Sequence, residues 1–316
     1  METTEMSRLV APYLQPGKVP ALSADYLEFP LNDPGEGLLA NAYYFGHPEW
    51  AEEYLTYCHR SEAYTGRWKA ALGDWAGKVV VDIGCGPGNV YASLGGEPAL
   101  LIGVDVAPAS LRLAKGLGYA TVLADATDLP FASGFADVVT LNATLHHCQD
   151  MGAILREAAR LVKPGGLLVT DHDPQRSAWD YRGLAKLLWN ARLVIYKVMK
   201  HSFHKSGDQQ ARALASELHH QPGHGVTEGF FQGILGPLGF EVRVYPHNHE
   251  LGAEVLQGQA GPAEFKYRLG TLLSYRNPNA KTSALTLMCV ARRPAIDGLR
   301  ESPSAAEKAE SASPQR

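Results

Sequence analysis

The sequence predicts an α/β fold: a mostly parallel sheet of seven strands with helices on both faces, plus an inserted helical cap. Three observations carry that expectation. Short apolar runs alternate with longer amphipathic stretches between residues 79 and 174, the pattern of parallel strands joined by right-handed crossover helices. The first run, Val79-Val-Val-Asp82-Ile, enters a turn with glycine at 84, 86 and 88, where positive φ and the missing Cβ let a ligand approach the backbone. Several runs then end in Asp or Asn, so polar groups gather at the strand carboxyl ends, where open α/β sheets bind ligands.

The elements follow in order. Residues 1–46 hold several Pro and Gly and few strong patterns, and read as an irregular N-terminal arm. From His47 to about Leu72 the spacing is helical and rich in Trp, Tyr and Ala; Tyr43, Tyr44 and Phe45 ahead of it either line an entrance or pack the helix onto the sheet. After the glycine turn, Leu100-Leu-Ile-Gly-Val104 is a second buried strand that delivers Asp105 to the carboxyl end. Tyr119-Ala-Thr-Val-Leu123 is a third, leading to Asp125-Ala126 and an Asp128-Leu-Pro130-Phe131 turn. Phe135-Ala-Asp137-Val-Val-Thr-Leu141 is a fourth, followed by Asn142-Ala-Thr-Leu-His146-His147-Cys-Gln-Asp150. Leu161-Val-Lys-Pro164-Gly165-Gly166 ends a helix, and Leu167-Leu-Val-Thr170 runs into Asp171-His172-Asp173-Pro174. Phe240–Tyr245 and Ala284–Ala291 are the last two strands.

Asp82 bears on the choice of ligand. Dinucleotide folds set a pyrophosphate on the next helix N-terminus, where a loop carboxylate would repel it, and space their glycines G-x-G-x-x-G. Here the spacing is G-x-G-x-G behind an acid. Asp105 alone does not separate the readings, because dinucleotide enzymes also carry an acid about 20 residues on. The glycine turn, Asp105, Asp125-Ala126, the stretch after the fourth strand and the Pro164-Gly-Gly turn together resemble, in order and spacing, the class I S-adenosylmethionine-dependent methyltransferases. The likeness is to the small-molecule type related to ubiquinone and menaquinone biosynthesis, over roughly residues 78–174.

The resemblance implies a Rossmann-like methyltransferase domain over 47–296, with 175–226 as the cap. It implies S-adenosyl-L-methionine as cofactor and S-adenosyl-L-homocysteine as product. Cofactor contacts then fall to Asp82, Gly84, Cys85, Gly86, Gly88, Asp105, Val106, Asp125, Ala126, Asn142 and His147. Methyl transfer from a sulfonium is an in-line displacement, so the protein must hold a nucleophile at the methyl carbon and, for a hydroxyl, take its proton. His146, His172 and His224 are the candidate bases, in that order, with Asp171 and Asp173 beside the first two. An oxygen is the expected acceptor atom; nitrogen and carbon stay open. A protein that binds the cofactor without transfer, or uses the sulfonium for other chemistry, is the first alternative. A nicotinamide oxidoreductase is the second.

The cap carries a stripe of Leu184, Leu187, Leu188, Ala191, Val194, Ile195, Val198 and Met199, with Arg182, Lys186, Asn190, Lys197 and Lys200 on the other side. Such a helix packs on its own domain, lies on a membrane surface or admits a lipidic substrate. His220 and His224 have the spacing of a zinc pair, but Pro222 and Gly223 between them oppose a helix, so no metal is expected. The chain has 316 residues, 45% of them hydrophobic and 20% charged, and a net charge of −4. That suits one large domain and gives no electrostatic footprint for nucleic acid. No apolar run reaches the length of a membrane span, and four scattered cysteines read as reduced thiols of a cytoplasmic protein. Residues 297–316, made of Ser, Ala, Pro and Glu, are expected to be disordered.

Overall fold

The computed structural model describes residues 1–31, 36–45, 61–199, 219 and 223–295, with the backbone alone at 36–37, 44 and 192–199. The expected tail, His220, and residues 46–60 and 200–218 lie outside the described residues.

Seven strands form the body of the sheet: β3 (Val79–Ile83), β4 (Leu100–Asp105), β5 (Ala120–Leu123), β6 (Ala136–Asn142), β7 (Val162–Pro174), β8 (Glu241–His247) and β9 (Thr286–Arg292). Two short strands, β1 (Ala21–Leu22) and β2 (Leu27–Glu28), extend one edge, giving the order β1-β2-β5-β4-β3-β6-β7-β9-β8. The strands from β3 to β7 pair in parallel, while β9 runs antiparallel between β7 and β8. A dinucleotide fold has no such inserted antiparallel strand. Strand order reverses between β3 and β6, and a crevice is expected outside their carboxyl ends.

Alternation along the strands builds two cores. Val81, Ile83, Ile102, Val104, Val139 and Leu141 face one side, with α6 (Met151–Leu161) and α9 (Glu228–Leu235). Val80, Leu101, Val138 and Val169 face the other, against Trp68 of α3 (Glu62–Leu72) and Leu111 of α5 (Pro108–Gly116). The helix ends are locally encoded. Ser61, Asp150 and Thr227 cap α3, α6 and α9 by accepting from the N–H groups of Tyr64, Ala153 and Phe230.

The described residues of the N-terminal arm are more regular than the sequence suggests. Helix α1 (Thr3–Val10) buries Met6 and Val10 completely, one turn apart, in the first core. β2 pairs with the outer edge of β5, and the N–H of Phe29 donates to Leu123 O at 2.9 Å. Helix α2 (Glu36–Phe45) follows. An eight-residue helix with two core contacts and two-residue strands fall below the length at which periodicity is legible; the unpaired edge of β5 orders them.

In the cap, α7 (Arg176–Trp179) leads to α8 (Gly183–Met199), and α10 (Phe265–Leu273) packs beside α8. Ala185 and Trp189 turn inward to a cluster with Trp179, Tyr181 and Tyr267. Leu184, Leu187 and Leu188 turn to solvent, so the stripe read from the sequence is not the packed face of α8 in its first half. An aromatic cluster offers Trp189 more contact area than leucines would gain there. The side chains of Val194, Ile195, Val198 and Met199 lie outside the described residues.

Candidate active site

The turn after β3 is a run of left-handed glycines, with φ of +66° at Gly84, +52° at Gly86 and +89° at Gly88. Two of the three serve packing. A Cβ on Gly84 would fall 2.5 Å from Thr144 Oγ1, and one on Gly88 would fall 2.8 Å from Leu117 Cδ1 and 2.9 Å from Tyr119. Gly86 alone opens on free space, its nearest neighbour being Asn89 Nδ2 at 3.9 Å. Gly84, Gly86, Pro87 and Asn89 form one wall of a cleft.

The three acids differ in position. Asp105, at the end of β4, lines the cleft; its Oδ2 accepts from Gly86 N–H at 2.8 Å and its Oδ1 from Ala107 N–H at 2.9 Å. Burial raises its pKa, which the three backbone donors around it partly offset. Asp82 lies a layer below and does not line the cleft. Its carboxyl accepts from Thr140 Oγ1 at 2.8 Å and Tyr119 OH at 2.9 Å, and burial pushes its pKa up to about 7. Asp125 accepts from the N–H and hydroxyl of Thr127, both at 2.8 Å, and the cleft is lined instead by its neighbours Ala124 and Ala126.

The floor and lid come from distant segments. Val104 and Val106 flank Asp105, while Asn142 ends β6 and Ala143, Thr144, His147 and Cys148 follow it. Helix α2 folds over them: Asn41 Nδ2 donates to His147 O at 2.8 Å, and Phe45 meets the His147 ring edge-on at 4.8 Å between centroids. Of the two roles open to the aromatics before residue 46, Phe45 therefore lines the entrance. Cys85 and Gly88 shape the loop from behind; the Cys85 thiol is buried against Gly103.

A second cleft, of about 1190 Å³, opens beside the first and shares Ala143 with it. Ala143 holds a left-handed φ of 52°, a costly conformation for a non-glycine residue. His146, His172 and His249 line this cleft with Pro174, Trp179 and Tyr267. His146 Nδ1 lies 2.9 Å from Asp173 Oδ1, and that oxygen also accepts the His146 backbone N–H at 3.0 Å. Asp173 is fully buried, its Oδ2 has no hydrogen-bond partner, and burial pushes its pKa up to about 7.

Behind His172 is a buried charge network. Arg67 on α3 donates from Nε to Asp171 Oδ2 at 2.9 Å and from Nη1 to Leu251 O at 2.8 Å, while its Nη2 is 3.1 Å from His172 Nε2. Asp171 Oδ1 pairs with His247 Nε2 at 2.7 Å. The Arg67 guanidinium and the neighbouring histidines hold Asp171 well below the usual carboxylate range despite its burial. His249, 3.2 Å from His172, is kept neutral, its pKa pushed down to about 3 by burial and by His247.

The structure thus gathers Gly84, Gly86, Asp105, Val106, Ala126, Asn142 and His147 on one cleft, and His146 and His172 on the next. His224 joins neither. It is exposed, with Nδ1 3.4 Å from His219 Nδ1, although Gly225 packs on the Pro174 carbonyl and Val226 bridges to Gln175. Arg67 and Asn41 are absent from the sequence reading. Arg67 had a signal: it shares the helical stripe of Tyr64, Trp68, Ala71 and Leu72, and an arginine on a buried stripe calls for a buried carboxylate.

The sheet order, with β9 antiparallel between β7 and β8, and the cleft at the β3/β6 switch point define a class I methyltransferase fold. Residues 81–170 match the family described as methyltransferase domain. It is 38% identical over 92 residues to demethylmenaquinone methyltransferase of Corynebacterium kroppenstedtii, covering 29% of this chain and 40% of that protein. It is 36% identical over 107 residues to ubiquinone biosynthesis O-methyltransferase of Thiobacillus denitrificans, covering 32% and 46%. The chain thus spans less than half the length of these two curated relatives. Among solved structures, it is similar to geranyl diphosphate C-methyltransferase of Streptomyces coelicolor, with 15% identity, a TM-score of 0.45, and 78% and 83% of the two chains covered.

Proposed function

We propose that the protein transfers a methyl group from S-adenosylmethionine to a small-molecule acceptor, at an oxygen. The observation that carries this reading is Ala143, where a cleft suited to the cofactor meets a cleft lined by histidines. The chain's residues fit the cofactor. A Cβ on Gly86 would meet only Asn89, itself a lining residue, so any larger side chain would take up cleft volume. Asp105 keeps lone pairs for ribose hydroxyls beyond its backbone donors, and Val106, Ala126, Asn142 and His147 supply the remaining wall. Cys85 and Gly88 act by shaping the loop, and Asp82 by anchoring it from below. When bound, S-adenosylmethionine supplies an electrophilic methyl group on a positively charged sulfur.

His146 is the general base in this reading. Asp173 Oδ1 already accepts a backbone N–H, so the ring nitrogen facing it donates as well. The neutral ring then carries its lone pair on Nε2, the atom that takes the acceptor's proton. A charge on Asp173 gains a countercharge across the Nδ1–Oδ1 contact when His146 becomes an imidazolium. His172 is set by Arg67 and His249, and serves to orient the acceptor.

Apolar walls from Trp179, Tyr267 and Leu285 favour a lipidic or aromatic acceptor over nucleic acid. No helix among the described residues is long and apolar enough to cross a membrane. The buried free thiols Cys85 and Cys289 suit a reducing, cytoplasmic setting. The test is mass spectrometry of the purified protein for carried-over S-adenosylmethionine or S-adenosylhomocysteine, then titration calorimetry and a labelled-methyl screen of host metabolites. Micromolar binding, about −8 kcal/mol, and a labelled product are expected. Binding with no product over a broad screen would leave a cofactor-binding protein without transfer. Heat with NAD and none with either cofactor form would overturn the reading.

A further inference from the structure

We propose that the outer faces of α8 and α10 dock the protein on an anionic lipid bilayer, beside the mouth of the second cleft. Leu184, Leu187 and Leu188 stand on one face of α8, at helical spacings of three and four, and Leu187 is 65% exposed. On α10, Phe265, Leu269 and Leu272 repeat the arrangement at spacings of four and three, and Tyr275 follows; Phe265 is 78% and Tyr275 89% exposed. The two helices touch: Arg182 N–H donates to Ser274 Oγ at 3.1 Å, and Gly183 and Gly270 lie against Tyr275 and Tyr181. Their inner faces are already satisfied by Ala185, Trp189 and Tyr267, so the outer residues have no role in the domain's own core. Scattered exposed leucines need no explanation, but a contiguous apolar face on neighbouring helices does.

Charge selects the occupant. On a chain of net charge −4, Arg182, Lys186, Lys266 and Arg268 flank this apolar face against two carboxylates, Asp180 and Glu264. Both carboxylates are paired, with Arg182 and Lys266, while Lys186 and Arg268 face no acid among the described residues. An apolar stripe among unpaired cations suits lipid headgroups of negative charge and the acyl boundary beneath them. A second copy would bring like charges together across the same face. Trp179 and Tyr267, which back the two helices, also line the second cleft, so docking sets the acceptor site beside the membrane surface.

Flotation reads lipid binding and not methyl transfer, so its outcome is separate from that of the labelled-methyl screen. The full chain is floated with vesicles of phosphatidylcholine alone and of an equimolar mixture with phosphatidylglycerol, in low and high salt. Wild type is expected to rise with the mixed vesicles in low salt and far less with the neutral ones. Leu187→Glu/Phe265→Glu is expected to lower that partitioning at least tenfold with an unchanged melting temperature. Lys186→Glu/Arg268→Glu, which leaves the apolar face intact, is expected to lower it for mixed vesicles only. A wild type that remains in the soluble fraction with both vesicle types overturns the proposal, as does a Leu187→Glu/Phe265→Glu variant that floats like wild type. A wild-type dimer in light scattering that the same variant turns into monomer also overturns it, the occupant then being a second copy.

Discussion

One oxygen of Asp173 holds His146 twice, 2.9 Å from the ring Nδ1 and 3.0 Å from the backbone N–H. The contact fixes both the ring's place and its tautomer, so the two residues should fail differently when changed. His146→Ala is expected to lower turnover by about 10² to 10⁴ with cofactor affinity nearly unchanged. Asp173→Asn, which keeps the shape but loses the charge, is expected to cost roughly 10- to 150-fold, the worth of a charge-assisted hydrogen bond. Wild-type kcat/KM should rise with pH to a plateau, with an acidic limb near 7 that belongs to the coupled pair. Full turnover in His146→Ala would remove it as the base.

Asp105→Ala is expected to weaken S-adenosylmethionine by about 1 to 3 kcal/mol in titration calorimetry, since ribose hydroxyls lose a buried acceptor. The same change frees the N–H groups of Gly86 and Ala107, so melting temperature should fall as well. Unchanged affinity would mean that the end of β4 does not meet the ribose.

Gly84 and Gly86, two residues apart, should separate stability from binding. Gly84→Ala sets a Cβ against Thr144 and is expected to cost about 2 to 4 kcal/mol of stability in thermal unfolding. Gly86→Val meets little protein and is expected to cost about 1 to 2 kcal/mol through backbone strain. It should nevertheless raise the cofactor dissociation constant at least about 100-fold, because a side chain enters the cleft. Equal effects of the two changes would contradict the division of the loop into packing and binding glycines.

Asp82 ties stability to pH. Burial raises its folded pKa from 3.8 to about 7, so between those values the folded state holds a proton that the unfolded state has released. Stability from this group is therefore greatest below about pH 4 and falls as pH rises toward 7. Asp82→Asn removes the titration while keeping acceptors and donors for Thr140 and Tyr119. The melting temperature of the variant relative to wild type is expected to climb from pH 4 to 7 and then level off. A difference independent of pH would show that Asp82 keeps an ordinary carboxylate pKa.

Helix α1 is part of the core. Met6 is completely buried, and Met6→Ala is expected to cost about 2 to 5 kcal/mol by leaving a cavity. Denaturant unfolding with no loss would show that the first helix is an appendage.

The sequence by itself determined the cofactor half of this protein. Glycines behind an acid, a second acid at the next strand end and a Pro-Gly-Gly turn carry the resemblance that implied Gly84, Gly86, Asp105, Ala126 and Asn142 as neighbours, and these five line one cleft. The caps Asp150 and Thr227 are local in the same sense, cap and recipient being three residues apart. Tertiary structure decided the rest. Asp82 reads like a ligand contact until Tyr119, 37 residues on, and Thr140, 58 on, are seen to occupy it. His146 and His172 look alike in sequence, yet the first meets Asp173 and the second meets Arg67, 105 residues away. His224, third of the candidate bases in the sequence, is exposed and lines neither cleft. The turn of α8, with its leucines outward, follows from an aromatic cluster shared with α10. Periodicity reports that a helix has two faces; which face is buried depends on the partners that long-range packing brings to it.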